Sequence, residues 1–235
     1  MNNLIKAEWF RYMKTSKTTT VMLVFLALIL TLFTVNADDG TFAPLSSVIL
    51  SNRGTMGIFC VLSIIILSIT NGYINRTQIY EVMAGNPPSR IILSRVAVYV
   101  PFITAVYLIP TLIIYLLFNH SAEMIQTLIL FSVLYFRAML TSIFLSPLLK
   151  ESSFAPAFLN IMFLIPKGLF DTAQAYSDSI FGFTGFGQLS LLSEGITLEF
   201  TAKILITSVI SCIICYFIGY FTLKKKFDLE PHPLA

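Results

Sequence analysis

Residues 75–95 read NRTQIYEVMAGNPPSRIILSR. This is the longest polar interruption in the first half of an otherwise apolar chain. It carries Arg76, Arg90 and Arg95 against a single acid, Glu81. An apolar run of membrane-spanning length lies on each side. Short connections rich in Lys and Arg stay on the cytoplasmic side of a bilayer, so the stretch is expected to be an inner loop. Within it, 77–84 predicts a short helical piece offering Ile79, Tyr80, Val82 and Met83 for contact. Gly85-Asn86-Pro87-Pro88 stops that piece, and Ser89 is expected to cap a helix beginning at Arg90. A stiff helix-stop-helix at an inner surface suits the transmission of force from a soluble partner. The alternative is a basic loop that only sets topology.

Outside this loop the composition decides the class. The 235 residues are 56% hydrophobic and 11% charged, whereas soluble domains carry about 25% charged residues. Twenty-one Phe and a mean hydropathy of +0.83 point the same way: most of the chain is built for lipid, as one membrane domain over 1–235. The net charge of +3 comes from loops and tail, so it reports orientation rather than nucleic-acid binding. Cys60, Cys212 and Cys215 fall inside apolar runs. The CxxC at 212–215 reads as small side chains at helical spacing in lipid, with no histidine near to complete a metal site.

Taken in order, the chain is expected to be an all-α membrane protein: six transmembrane helices behind an N-terminal interfacial helix, with both termini cytoplasmic. Residues 3–17 place Ile5, Trp9, Tyr12, Met13 and Ser16 on one helical face and Lys6, Arg11, Lys14 and Lys17 elsewhere. That is the pattern of a helix lying in the interface, with Trp and Tyr at headgroup level. The spans are expected at about 18–36, 54–74, 96–118, 123–149, 154–170 and 201–223. The first is read as a retained span, because no small-residue cleavage pattern follows it. Pro101 and Pro110 interrupt the third; Pro156 and Pro166 break the fifth. Residues 171–199 are too apolar for a free loop and are expected as short helices or a re-entrant hairpin at the outer face.

Eleven cationic residues fall in the expected inner segments (Lys6, Arg11, Lys14, Lys17, Arg76, Arg90, Arg95, Lys150, Lys224, Lys225 and Lys226), against Arg53, Lys167 and Lys203 outside. This asymmetry fixes the expected orientation.

The sequence holds no phosphate loop, no nucleophile elbow and no HExxH. An enzyme is therefore not expected, and no metal site is expected. Arg137 is the one clear ionisable group at membrane depth, 13 residues before Lys150 and so roughly 20 Å from the inner end. A lone charge there costs between about 3 and 10 kcal/mol unless it finds a partner or water. It either faces a translocation path, or is a structural arginine bonded to carbonyls near a broken helix. Asn71 and Asn160 either line the same path or join helices. The rival functional classes are an intramembrane enzyme using Arg137 and Asn160, and a stand-alone channel or scaffold.

At these residues the chain resembles the type-2 ABC permease family, the membrane halves of ATP-driven exporters. Leu4-Ile5-Lys6-Ala7-Glu8-Trp9-Phe10 with Lys14-Thr15-Ser16-Lys17 resembles that family's interfacial helix. Glu81 followed by Gly85-Asn86-Pro87-Pro88-Ser89-Arg90 and Ser94-Arg95 resembles its coupling segment, although no Gly-Thr step follows the acid here. The resemblance implies a subunit with no cofactor of its own, with ATP and Mg on a separate cytoplasmic ABC ATPase. A second permease copy or paralogue would complete the path. It implies that Arg76, Thr77, Ile79, Tyr80, Glu81, Met83 and Arg90 form the ATPase-coupling loop. The implied setting is a bacterial plasma membrane, in the style of small bacteriocin or lantibiotic immunity exporters.

Overall fold

The computed structural model describes residues 2–15, 85–109, 112, 113, 116, 122–149, 188 and 196–229. These residues are helical apart from short approaches to the helices. The four helices are α1 (Asn2–Thr15), α2 (Pro88–Ile103), α3 (Ala122–Leu145) and α4 (Leu198–Leu229).

Helix α1 turns a different face to the protein from the one its Trp and Tyr suggest. Leu4, Glu8 and Tyr12, spaced four apart, are buried, while Trp9, Phe10 and Met13 are exposed. Tyr12 is therefore a core residue and not a headgroup anchor. Its ring meets Tyr99 edge-on at 5.5 Å and Phe102 at 4.9 Å, and Trp9 meets Phe102 at 5.8 Å. Edge-to-face packing of this kind adds about 0.5–1.5 kcal/mol per pair beyond the buried area. It seats α1 across the second half of α2.

The start of α2 corrects the expected cap. Pro87, at φ −66 and ψ 151, is the N-cap residue, and Pro88 opens the helix with no side-chain cap bond. Proline at the first position has no N–H to satisfy, so Ser89 has no capping work to do. The carbonyl of Pro87 accepts from the amides of Arg90 at 3.0 Å and Ile91 at 3.3 Å. Gly85, just upstream, takes φ +73, a left-handed conformation that favours glycine at the break before the helix.

Pro101 lies within α2, and residues Thr104–Leu108 widen into a π-helical turn closed by the amide of Ile109 on the Thr104 carbonyl. Wider turns of this kind occur as single insertions within α-helices. Burial steps from Tyr99 to Ile103 to Leu108, a four-residue and then a five-residue interval that follows this widening.

Helix α3 continues into a short 3-10 turn, Ser146–Leu149. The beginning of α2 lies beside this end: Arg95 reaches Ser146. The same two helices share a core of Tyr99, Ile103, Leu108, Phe131, Tyr135, Met139 and Ile143 with Tyr12 of α1. Helix α4 packs along α3 in the same direction. Leu130 and Leu134 cluster with Ile204, Arg137 meets Thr207, and Phe144 meets Tyr216 and Gly219. Both numbers rise together along the contact.

Among the described residues, two stretches are long and apolar enough to cross a membrane, Ile125–Leu148 and Leu198–Lys225, with mean hydropathies of 2.0 and 2.2. Only 17% of the second is buried, against 56% of the first. Leu205, Ile206, Val209, Ile210, Ile213, Ile214, Phe217 and Phe221 are left exposed along α4. Water does not tolerate an apolar surface of that length on a stable monomer; these two helices point to a membrane protein.

Candidate functional site

Among the described residues, two polar clusters stand out in this apolar body. The first lies where α1, α2 and the end of α3 meet. Arg95 is fully buried, and its Nε donates to Glu8 Oε1 at 3.2 Å. The other carboxylate oxygen of Glu8 accepts from Arg11 Nη1 at 3.1 Å, one turn along the same helix. Nη1 of Arg95 reaches Ser146 Oγ at 3.5 Å, and that hydroxyl in turn donates to the Ile143 carbonyl at 2.7 Å. Glu8 is thus a buried carboxylate held between two guanidinium groups. Charge-assisted bonds of this kind are about twice as strong as neutral ones.

From sequence, Arg95 is a loop cation and part of the Ser94-Arg95 step that resembles a coupling segment, and Glu8 is a member of the interfacial-helix stretch; nothing joins the two. The only sequence signal for Glu8 is its spacing: Leu4, Glu8 and Tyr12 form one stripe, so an acid sits in line with two apolar residues. Its partner lies 87 positions away, and no local pattern carries that pairing.

The second cluster surrounds Arg137, in the middle of α3. Its Nη1 donates to Gln188 Oε1 at 2.8 Å and to Thr207 Oγ1 at 3.4 Å. Nε2 of Gln188 donates to the same threonine oxygen at 2.9 Å. The hydroxyl proton of Thr207 is used on its own helix, toward the Lys203 carbonyl at 2.7 Å. Both lone pairs of Thr207 are therefore free to accept from the two side chains. Gln188 is fully buried and Arg137 is half-buried. Among the described residues the arginine is bonded to polar side chains from α4 and from residue 188. Gln188 and Thr207 are missing from the sequence-based candidates. Gln188 announces itself only as an amide within an apolar, glycine-containing stretch.

Of the residues expected to form the coupling loop, Arg90 stands exposed in the first turn of α2. Arg76, Thr77, Ile79, Tyr80, Glu81 and Met83 lie outside the described residues, as do Asn71 and Asn160 of the expected path. Arg137 is therefore the path candidate whose surroundings are known. Among the described residues no group of three or more His, Cys, Asp or Glu is placed to hold a metal ion. Between α1 and α2 an open apolar groove of about 320 Å³ is lined by Ile5, Trp9, Ala97, Val98, Pro101 and Phe102.

Charge is distributed unevenly between the two ends of the assembly. Arg11, Arg90 and Arg95 gather at the end where Ser146 lies, and the parallel course of α4 brings the exposed Lys224 and Lys225 to the same end. The opposite end carries Glu199 in the first turn of α4. Comparison of the chain with protein-family models, with characterised proteins and with solved structures finds no match.

Proposed function

We propose that the chain is the transmembrane permease subunit of an ATP-binding-cassette exporter in a bacterial plasma membrane. In this reading it moves a peptide or another amphipathic or hydrophobic compound outward, and a separate cytoplasmic ATPase binds ATP and Mg. The chain contributes no catalytic residue. It spans the bilayer six times with both ends in the cytoplasm and pairs with a second permease copy or a paralogue.

The observation that carries this reading is the docking of α1 onto the helix that follows the 76–89 loop, at the end where the cations collect. An amphipathic N-terminal helix fixed beside the inner entrance of a span is what a force-receiving face requires. The parallel course of α3 and α4 supports the span count. If both cross in one direction, the chain between them must recross, as expected for 154–170. Cationic side chains at a shared end agree with an inner placement. Arg137, Gln188 and Thr207 then supply polar side chains at membrane depth, where such groups are expensive and mark pathways.

The test is co-purification. Epitope-tagged chain extracted from its own membranes should bring down a phosphate-loop ATPase. Deleting 80–84, or replacing Glu81 with Lys, should weaken that association and leave membrane insertion intact. Undiminished ATPase binding after the deletion would remove the coupling assignment; an extract with no ATPase at all would remove the exporter reading.

A further inference from the structure

We propose that Glu8 is a positioning residue: through Arg95 it fastens the N-terminal helix to the helix leaving the 76–89 loop, so that α1, the first turns of α2 and the inner end of α3 move as one body. What drives that motion rests on the exporter reading; the fastening itself does not.

The argument begins with the bond. Glu8 uses one carboxylate oxygen within its own helix, on Arg11, and the other across the interface, on Arg95. The side chains of Arg95 and Glu8 are 0% and 2% exposed. Apolar surfaces can slide past one another, because one methyl contact replaces the next. A buried charge pair has a single register, and leaving it strands a charge away from water. Buried polar pairs set register in this way in paired helices. Here the pair is backed, one turn further on, by the rings of Tyr12, Tyr99 and Phe102.

A third arm extends the body. Nη1 of Arg95 points at Ser146, whose hydroxyl is tied to the last turn of α3. Arg95 lies two turns beyond Pro87 and Pro88, so a displacement of the loop reaches it through rigid helix. From there it is shared with α1 on one side and with α3 on the other. Phe10 and Met13 are exposed on the other side of α1, while Trp9 is partly covered by Phe102; α1 is therefore gripped on one side by the ion pair and presents the other to lipid.

The experiment uses the full chain in lipid nanodiscs, with Cys60, Cys212 and Cys215 replaced by serine and spin labels on Phe10→Cys and Leu93→Cys, both exposed positions. The parent should give one narrow distance distribution, and Glu8→Gln should broaden it at least twofold. A distribution of unchanged width overturns the proposal. Should Glu8→Gln fail to insert, Glu8→Leu combined with Arg95→Leu leaves no charge stranded, and it should broaden the distribution to the same degree; an unchanged width again overturns it. In the ATPase complex the parent distance should be the same without nucleotide and after vanadate trapping, and a shifted peak overturns the single-body claim. If no ATPase is recovered, the exporter reading fails while the width comparison still decides the fastening.

Discussion

Gly219 of α4 lies against the main-chain carbonyl of Phe144 in α3. A methyl group built on Gly219 would overlap that oxygen and come within 3.1 Å of the carbonyl carbon. Backbone obstructs it, so no side chain can swing aside. Helices in lipid associate through such close approaches at small residues, since apolar burial alone does not favour helix over lipid. Gly219→Ala should therefore destabilise the α3–α4 pair by about 1–3 kcal/mol, against a gain of about 1 kcal/mol from helix propensity. Thermal unfolding in detergent would report a lower midpoint, and a raised midpoint would mean that the helices sit further apart.

The Glu8–Arg95 pair predicts an asymmetry between single and double replacement. Glu8→Ala leaves Arg95 buried opposite an empty site and should cost about 3–5 kcal/mol. Replacing both residues with leucine should return most of that loss, because no charge is then stranded. Unfolding midpoints of Glu8→Leu, Arg95→Leu and the double leucine variant close the cycle. No loss in either single would mean that α1 is held by its rings alone.

Around Arg137 the prediction concerns coupling. Thr207→Val removes an acceptor shared by Arg137 and Gln188. The double-mutant cycle of Arg137→Ala with Thr207→Val should show an interaction of about 0.5–1.5 kcal/mol. Arg137→Ala should also lower export by the assembled complex. Additive stabilities would separate the two residues, and undiminished export would make Arg137 a structural group.

Topology is open to direct labelling. In a chain whose native cysteines are serine, Lys225→Cys should react with an impermeant maleimide only after the cells are permeabilised. Asp178→Cys should react in intact cells. Labelling of both from outside would undo the single crossing of α4 that separates them.

How much of this was legible beforehand differs by element. The spans expected at 123–149 and 201–223 correspond to α3 with its terminal turn and to α4, because an unbroken apolar run of spanning length leaves one structural option in lipid. The helix at 3–17 was legible for a similar reason, as periodicity alone announces it. Its orientation was not. Trp9 and Tyr12 look like equivalent interfacial aromatics, yet Tyr12 is enclosed and Trp9 is 43% exposed. What turns the helix is Glu8, and an acid on an amphipathic helix ordinarily reads as solvated. Ser89 misled by residue type: serine is a good cap, but two prolines had already begun the helix. Arg137 was found because a charge in an apolar run needs no partner to be noticed. Gln188 and Thr207 are polar groups common in membrane segments, and only proximity gives them meaning.

The widened turn at 104–108 has a bearing on the far half of its helix. One added residue alters the angular phase of everything beyond it by about 100°. Leu108 meets the core because of that offset, and Ile109 and Ile113 face outward. Excising one residue here, such as Ala105, would close the wide turn to an ordinary α-helical one, setting Leu108 four residues after Ile103 and keeping it against the core. The bilayer, which reads hydrophobicity, and the neighbouring helices, which read azimuth, would both accept the shortened sequence.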